Sequence, residues 1–383
     1  MVTADDYDYR QLLADNAPVG EIRYLSNGSH PDDGATSEPK RIPGEQRERI
    51  AETGRLFLEK TGGSSCLILS GRLISQVGGE AGTTEHAIIQ CCLGRFGYPE
   101  APAESEETID LVLDTLGGPL DSAFKTVLAL RRFTKRLRVF VPRRAKSAGT
   151  LIAIGGDELF MSPFSELGPL DTQIPDPRNP TDLVSALDCY QSVDYVRSFG
   201  LNTFGRALSA LAVETRTQLP LLQMVNTAAT FSIGSIAPIL SQVIPLDFGG
   251  WGRTLKIGEM YAQSLLTRLG REESDSRAIA SRLVYGYTHH PFPIDLDEAA
   301  RIGLAPQPMT QPQYELARTL LAACSGVDTV VGFTDEPQGD HEETPLRPVI
   351  IPTPRTPGRD GPAGREQALG SIDEGEPPAD DLS

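Results

Sequence analysis

Between Thr108 and Gln173 apolar runs alternate with helical periods across short breaks, and this pattern restricts the fold more than any other feature of the chain. Ile109–Leu113 is a continuous apolar run broken only by Asp110, as expected of a strand buried on both faces of a parallel sheet. Gly117–Gly118–Pro119 then interrupts the chain. Leu120, Phe124, Val127 and Leu128 recur at helical spacing, and Arg131–Arg132 close that segment where cations suit the helix dipole. Leu137–Val141 reads as a second strand ended by Pro142, Ser147–Gly155 as a helix of small residues, and Asp157–Met161 as a third strand. The order β-α-β-α-β with short connections predicts an α/β fold with a parallel sheet and right-handed crossovers.

The rest of the chain is organised around this unit. Residues 1–43 are polar and turn-rich and read as a flexible N-terminal arm. A helix follows across GEQRERIAETGRLFLEKTG, and residues 200–245 and 253–284 are largely helical. The runs Cys66–Leu69 and His86–Leu93 belong to the folded unit, although periodicity alone does not decide their type. Residues 44–325 thus form the expected domain, and 326–383 an acidic, proline-rich tail too poor in apolar residues to offset its chain entropy. TPLRPVIIPTPRTP within that tail is a candidate motif for a tail-binding partner, against the simpler reading of an idle tail.

Composition excludes several classes. A formal charge of −17 argues against a nucleic-acid binder. No apolar run is long enough for a transmembrane segment, and the first residues lack the basic and apolar regions of a secretory signal, so the expected location is cytoplasmic. Cys66, Cys91, Cys92, Cys189 and Cys324 are scattered without a CxxC pair, which suits reduced, mostly buried thiols. There is no GxGxxG after a strand, no Walker lysine and no histidine cluster, so neither a cofactor nor a metal is expected.

Adjacent parallel strands end on one edge about 4.8 Å apart, so the turn at Gly117–Gly118 and the turn at Lys146–Ser147 lie side by side. Ligands of open α/β sheets bind at that carboxyl edge. The amides of Gly117, Gly118 and Ala148 can form an oxyanion hole beside the Ser147 hydroxyl. On spacing alone the simpler reading stays open: a tight glycine turn, with Ser147 as a helix N-cap.

The stretches LVLDTLGGPLDSAFKTVLAL and VFVPRRAKSAGTLIAIGGDELFMSPFSELGPLDTQI resemble the serine dehydrogenase proteinase family, ClpP-class serine peptidases of the ClpP/crotonase superfamily related to signal peptide peptidase A. The family's TPGG turn, its nucleophile turn, its DEIVM strand and its LGPVDPQ loop stand here at Thr115–Gly118, Val141–Thr150, Asp157–Met161 and Leu167–Gln173. Arg253–Leu266 and YTHHPFPIDLDEAARIGL resemble later family segments, so the likeness runs over residues 45–305. Leu116, Ala148 and Thr172 replace family proline, glycine and proline, and Thr288–Ile294 carries one extra residue; none of these removes the nucleophile.

The resemblance implies a ClpP/crotonase-like spiral of repeated β-β-α/βαβ units with C-terminal helices. It also implies a serine peptidase acting on a peptide or protein substrate through an acyl-enzyme on Ser147, and a homo-oligomer. Serine needs a base within hydrogen-bond reach, which relatives supply as histidine with aspartate or as lysine. Lys256 is the only lysine after Ser147 and can act if desolvated, against the simpler reading of a solvated side chain. His289 is the second candidate, against an ordinary surface or capping histidine, and Asp171 either orients the base or merely makes a turn. Lys146, as the chain neighbour of Ser147, is expected to point elsewhere. Two rivals remain at this level: a crotonase-like acyl-thioester enzyme, which needs no serine at this turn, and a catalytically inactive assembly or binding protein.

Overall fold

The computed structural model describes residues 23–25, 44–73, 83–99, 107–176, 179–216, 218–287, 289–324 and 329–334. All of them lie in the unit Met1–Thr353. In chain order the first half runs β1 (Arg23–Leu25), α1 (Gly44–Thr61), β2 (Ser65–Gly71), α2 (Thr84–Phe96), β3 (Thr108–Asp114), α3 (Leu120–Phe133) and β4 (Arg136–Val141). It continues with β5 (Arg144–Ala145), α4 (Ala148–Ile154), β6 (Glu158–Met161), β7 (Glu166–Leu167), and the hairpin β8 (Gln173–Asp176) and β9 (Asn179–Ser185). Three long helices follow, α5 (Ala186–Glu214), α6 (Leu221–Leu240) and α7 (Pro245–Arg268). The chain then completes α8 (Glu273–Tyr285), α9 (Leu296–Arg301), β10 (Gln307–Pro308), α10 (Gln311–Ala323) and β11 (Thr329–Phe333).

Seven strands form the central sheet in the order β1-β11-β2-β3-β4-β6-β10. The five from β2 to β10 are parallel, while β11 and β1 add antiparallel on one side. The three strands expected from the sequence are therefore adjacent and parallel in one sheet. Two boundaries differ from expectation. Thr329–Phe333, placed in the tail beyond residue 325, pairs with Ser65–Gly71 inside the sheet, and Arg23–Leu25, placed in the arm, pairs with that strand in turn. A short apolar run such as TVVGF acquires a strand's role only through the neighbour it pairs with. The remainder of the arm and tail, including TPLRPVIIPTPRTP, lies outside the described residues.

Alternation along the strands splits the core in two. Leu137, Val139 and Val141 face the layer made by α2, α3, α4, α7 and α8, whereas Phe140 faces α1 and α10. Phe140 stacks on Phe160 with ring centroids 4.4 Å apart and takes the edge of Phe57 at 5.0 Å. The charge that interrupts the β3 run is answered across the sheet. Asp110 pairs in register with Arg138, whose Nε and Nη2 donate to the carboxylate at 2.6 and 2.7 Å, and Nη1 donates to the Thr61 carbonyl. Burial raises the Asp110 carboxyl above the usual carboxylate range, and the Arg138 guanidinium offsets only part of that rise. Loss of one partner of such a pair costs about 3–5 kcal/mol because the other charge is left buried.

Four of the five thiols are buried and none is bridged. Burial raises the Cys324 thiol to about 12 and pushes Cys92 well up, with Cys91 adding to the latter. Native protein at pH 8 should therefore react with a thiol reagent at Cys189 at most, and denatured protein at all five cysteines; fast native labelling of Cys92 or Cys324 would contradict this packing. Above the ordinary thiol range the unfolded chain ionises these groups while the fold keeps them protonated, so stability should fall as pH rises from about 9 towards 12.

Candidate active site

At the carboxyl edge of β3 and β4 the two turns are tied together by backbone. Thr115 N–H donates to Arg144 O and Lys146 N–H to Thr115 O, each at 3.0 Å, extending the parallel pairing one bridge beyond the strands. This brings Gly117 against Ser147 so closely that a Cβ on Gly117 would lie 2.9 Å from Ser147 Cβ, 2.5 Å from Lys146 O and 3.2 Å from Ala148 N. Gly117 also has φ 92°, a backbone that L side chains rarely adopt. Gly118 is backed by Leu73, whose carbonyl would sit 2.3 Å from an added Cβ. Only glycine fits either position.

Ser147 itself is held at φ 50°, ψ −121°, one of three non-glycine positive-φ residues among those described. A β-carbon in this region costs about 1–3 kcal/mol, sustained by the surrounding structure. The residue stands at the N-cap position of α4, yet its side chain makes no capping hydrogen bond. The N-cap explanation of the serine is therefore unsupported by its geometry. The half-buried hydroxyl is left uncommitted on a strained strand-to-helix turn, the arrangement that exposes a nucleophile in hydrolases.

The expected set of oxyanion donors is corrected at one point. Gly117 N–H donates to Thr115 Oγ1 at 3.0 Å, so it is already spent in shaping the turn. Among the described residues Gly118 N–H and Ala148 N–H have no protein acceptor, and Ala148 opens α4 with the positive end of its dipole. Two donors from two loops remain.

Thr150, fully buried on α4, fastens the Ser147 turn to the next loop. Its hydroxyl lies 2.7 Å from both Ala145 O and Gly168 O and accepts from Gly168 N–H at 2.9 Å. Gly168 packs so tightly that a Cβ there would lie 3.2 Å from Ser147 N. Three residues on, Asp171 is 2% exposed, and its Oδ1 accepts the Leu187 N–H at the start of α5 at 3.1 Å.

The base candidates separate clearly. Lys256 lies on the outer face of α7 with its side chain 60% exposed, and Nζ is paired with Glu259 at 2.7 Å. The packed face of that helix is Leu255, Gly258, Glu259 and Ala262, so the desolvation that Lys256 would need as a base is missing. His289 is exposed and meets the edge of Phe292 at 5.7 Å between centroids. The neighbouring His290 instead turns inward, with Nδ1 3.8 Å from Asp171 Oδ2 and no other polar partner for that buried nitrogen. The sequence singled out His289; in the structure the two adjacent rings diverge, and His290 is the one that faces Asp171. The segment is anchored by the antiparallel bridge of Ile294 to Leu167, and Lys146 Nζ donates to Leu167 O and Phe292 O at 3.3 and 3.5 Å while pairing with Glu166 at 2.9 Å.

No group of three or more His, Cys, Asp or Glu side chains suited to a metal occurs among the described residues.

A parallel sheet thus presents an uncapped, strained serine beside a glycine turn at its carboxyl edge. Residues 100–192, which hold both turns and Asp171, match the family of ClpP-like SDH-type serine proteinases. Two uncharacterized proteins of Methanocaldococcus jannaschii are similar over short segments, one 39% identical over 72 residues (19% of this chain, 25% of the relative) and one 38% identical over 66 (17% and 23%). The chain thus spans about a quarter of the length of these curated relatives. Among solved structures, an alanine variant of the 1510-N membrane-bound stomatin-specific protease aligns with 55% of this chain and 68% of its own at 15% identity, with a TM-score of 0.30.

Proposed function

We propose that this protein is a serine peptidase that cleaves peptide bonds of a peptide or protein substrate through an acyl-enzyme on Ser147. In the first step Ser147 Oγ attacks the scissile carbonyl carbon, its proton passes to His290, and the carbonyl oxygen becomes an oxyanion held by Gly118 and Ala148 N–H. His290 then returns the proton to the departing amine, the C–N bond breaks, and Asp171 balances the charge on the imidazole while it carries the proton. Water repeats the sequence on the ester and frees the acid. Each oxyanion donor is worth about 3–4 kcal/mol where measured, so two such amides form a large part of the expected acceleration.

The observation that carries this reading is the backbone of Ser147. A residue kept at φ 50° with its hydroxyl unused for capping is strained without structural return, and a reacting hydroxyl supplies the reason. The 3.8 Å His290–Asp171 separation supports the pair as base and orienter, because such contacts often tighten only when substrate is bound.

The test is fluorophosphonate labelling of the wild-type protein followed by peptide mapping. Label is expected on the tryptic peptide that begins at Ser147, with one label per chain. No label across neutral and mildly alkaline pH would overturn the enzyme reading in favour of a binding protein on this fold.

A further inference from the structure

The segment that carries His290 is poor in backbone donors. Of the six residues His289–Ile294, Pro291 and Pro293 have no N–H, and both stand exposed. Phe292 N–H turns back on His289 O at 3.1 Å, and the bridge of Ile294 to Leu167 fixes the far end. The half-buried Phe292 ring lies 4.7 Å from that of Tyr287 between centroids, and Tyr287 OH donates to the buried Glu298 carboxylate at 2.8 Å. The carbonyls of the segment are left to be held by a donor from elsewhere.

Lys146 supplies that donor. Its own backbone is fixed on both sides, because N–H donates to Thr115 O at 3.0 Å and O accepts Gly149 N–H at 2.8 Å. The side chain then runs across Gly168, where an added Cβ would lie 2.9 Å from Lys146 Cδ. Nζ ends among three acceptors: Glu166 Oε1 at 2.9 Å, Leu167 O at 3.3 Å and Phe292 O at 3.5 Å. An ammonium has three N–H donors, so each finds a partner. The side chain is only 14% exposed, a position a lysine seldom occupies unless its charge is paired. One end of this link is thus the residue before Ser147, and the other is the carbonyl two residues after His290.

We propose that Lys146 is a positioning residue whose ammonium holds the His290 segment in place against the Ser147 turn. The proposal rests on the reading of Ser147 as nucleophile and His290 as its base. Proton transfer needs an approach of about 2.6–3.2 Å between heavy atoms, and a misplacement of about 1 Å can cost about 10²-fold in rate. A segment free to swing therefore slows the reaction although every reacting group is present. Glu166, with 36% of its side chain exposed, steers the ammonium and stays solvated when that partner is removed.

The test is a double-mutant cycle on the rate of fluorophosphonate labelling at Ser147, with Lys146→Met, His290→Ala and the two combined. Methionine keeps an unbranched stem over Gly168 and removes all three donors. Lys146→Met is expected to label about 10²-fold more slowly than wild type, with a melting temperature within a few degrees of it. Added to His290→Ala it is expected to change nothing further, because it acts through that imidazole. Unchanged labelling in Lys146→Met, or equal slowing in both backgrounds, overturns the proposal and leaves the peptidase reading intact.

Hydrogen exchange followed by mass spectrometry reads the same link without any chemistry at the serine. The peptide holding the Phe292 and Ile294 amides should exchange at least tenfold faster in Lys146→Met, while α8 keeps its wild-type rate. Wild type that never labels would overturn the peptidase reading alone; exchange at 292 and 294 that is the same in both proteins would overturn the role of Lys146. If Lys146→Met loses its cooperative melting transition, Lys146→Gln, with a shorter stem, takes its place under the same expectations.

Discussion

Ser147→Ala is expected to abolish fluorophosphonate labelling and all peptidase activity while leaving the melting temperature unchanged. Alanine removes one oxygen and keeps the Cβ, so neither the Gly117 contact nor the backbone strain is altered. In a comparable serine hydrolase, loss of the nucleophile lowers kcat by about 10⁶-fold, and the residual rate comes from the oxyanion hole and binding. Ser147→Gly should be equally inactive but more stable. Glycine accepts φ 50° without a Cβ penalty, and relief of about 1 kcal/mol corresponds to about 2–4 °C in a domain of this size. Labelling of Ser147→Ala at the wild-type rate would place the nucleophile elsewhere. A glycine variant that melts below wild type would show that the serine contributes a contact outweighing its strain.

His290→Ala should slow labelling by about 10²–10⁴-fold, the ordinary contribution of a general base. His289→Ala and Lys256→Ala should leave the rate essentially unchanged, since His289 faces outward and the exposed Lys256 ammonium is engaged by the buried Glu259 carboxylate. Asp171→Asn keeps an acceptor for the Leu187 N–H at the start of α5, so the fold is retained while the charge that orients His290 is lost. The rate should then fall in the same direction as in His290→Ala, and the two losses should not add, because both act through one imidazole. Loss of labelling in Lys256→Ala equal to that in Ser147→Ala would replace this mechanism with a lysine-assisted one and require the α7 helix to turn that side chain inward.

The alternation of buried strands and amphipathic helix between Thr108 and Met161 was legible because both periods are local properties of the chain, and the short breaks left only a parallel arrangement. Parallel order then placed the Gly117–Gly118 turn beside Ser147, so the site's location followed from topology. Asp110 looked like a defect in a strand; its answer, Arg138, stands 28 residues away and in register only because β3 and β4 pair.

What the sequence determined by itself was the sheet, its carboxyl edge and the glycine turn and serine brought together there, since each depends on neighbours within a few residues or on strand order. Tertiary structure alone decided the rest. It turned His290 rather than His289 toward Asp171, set Lys256 in solvent, and recruited Thr329–Phe333 as a strand. Each of these outcomes depends on which groups meet across many residues of chain. That choice is made by packing and by the requirement that buried polar groups find partners, and no local pattern encodes it.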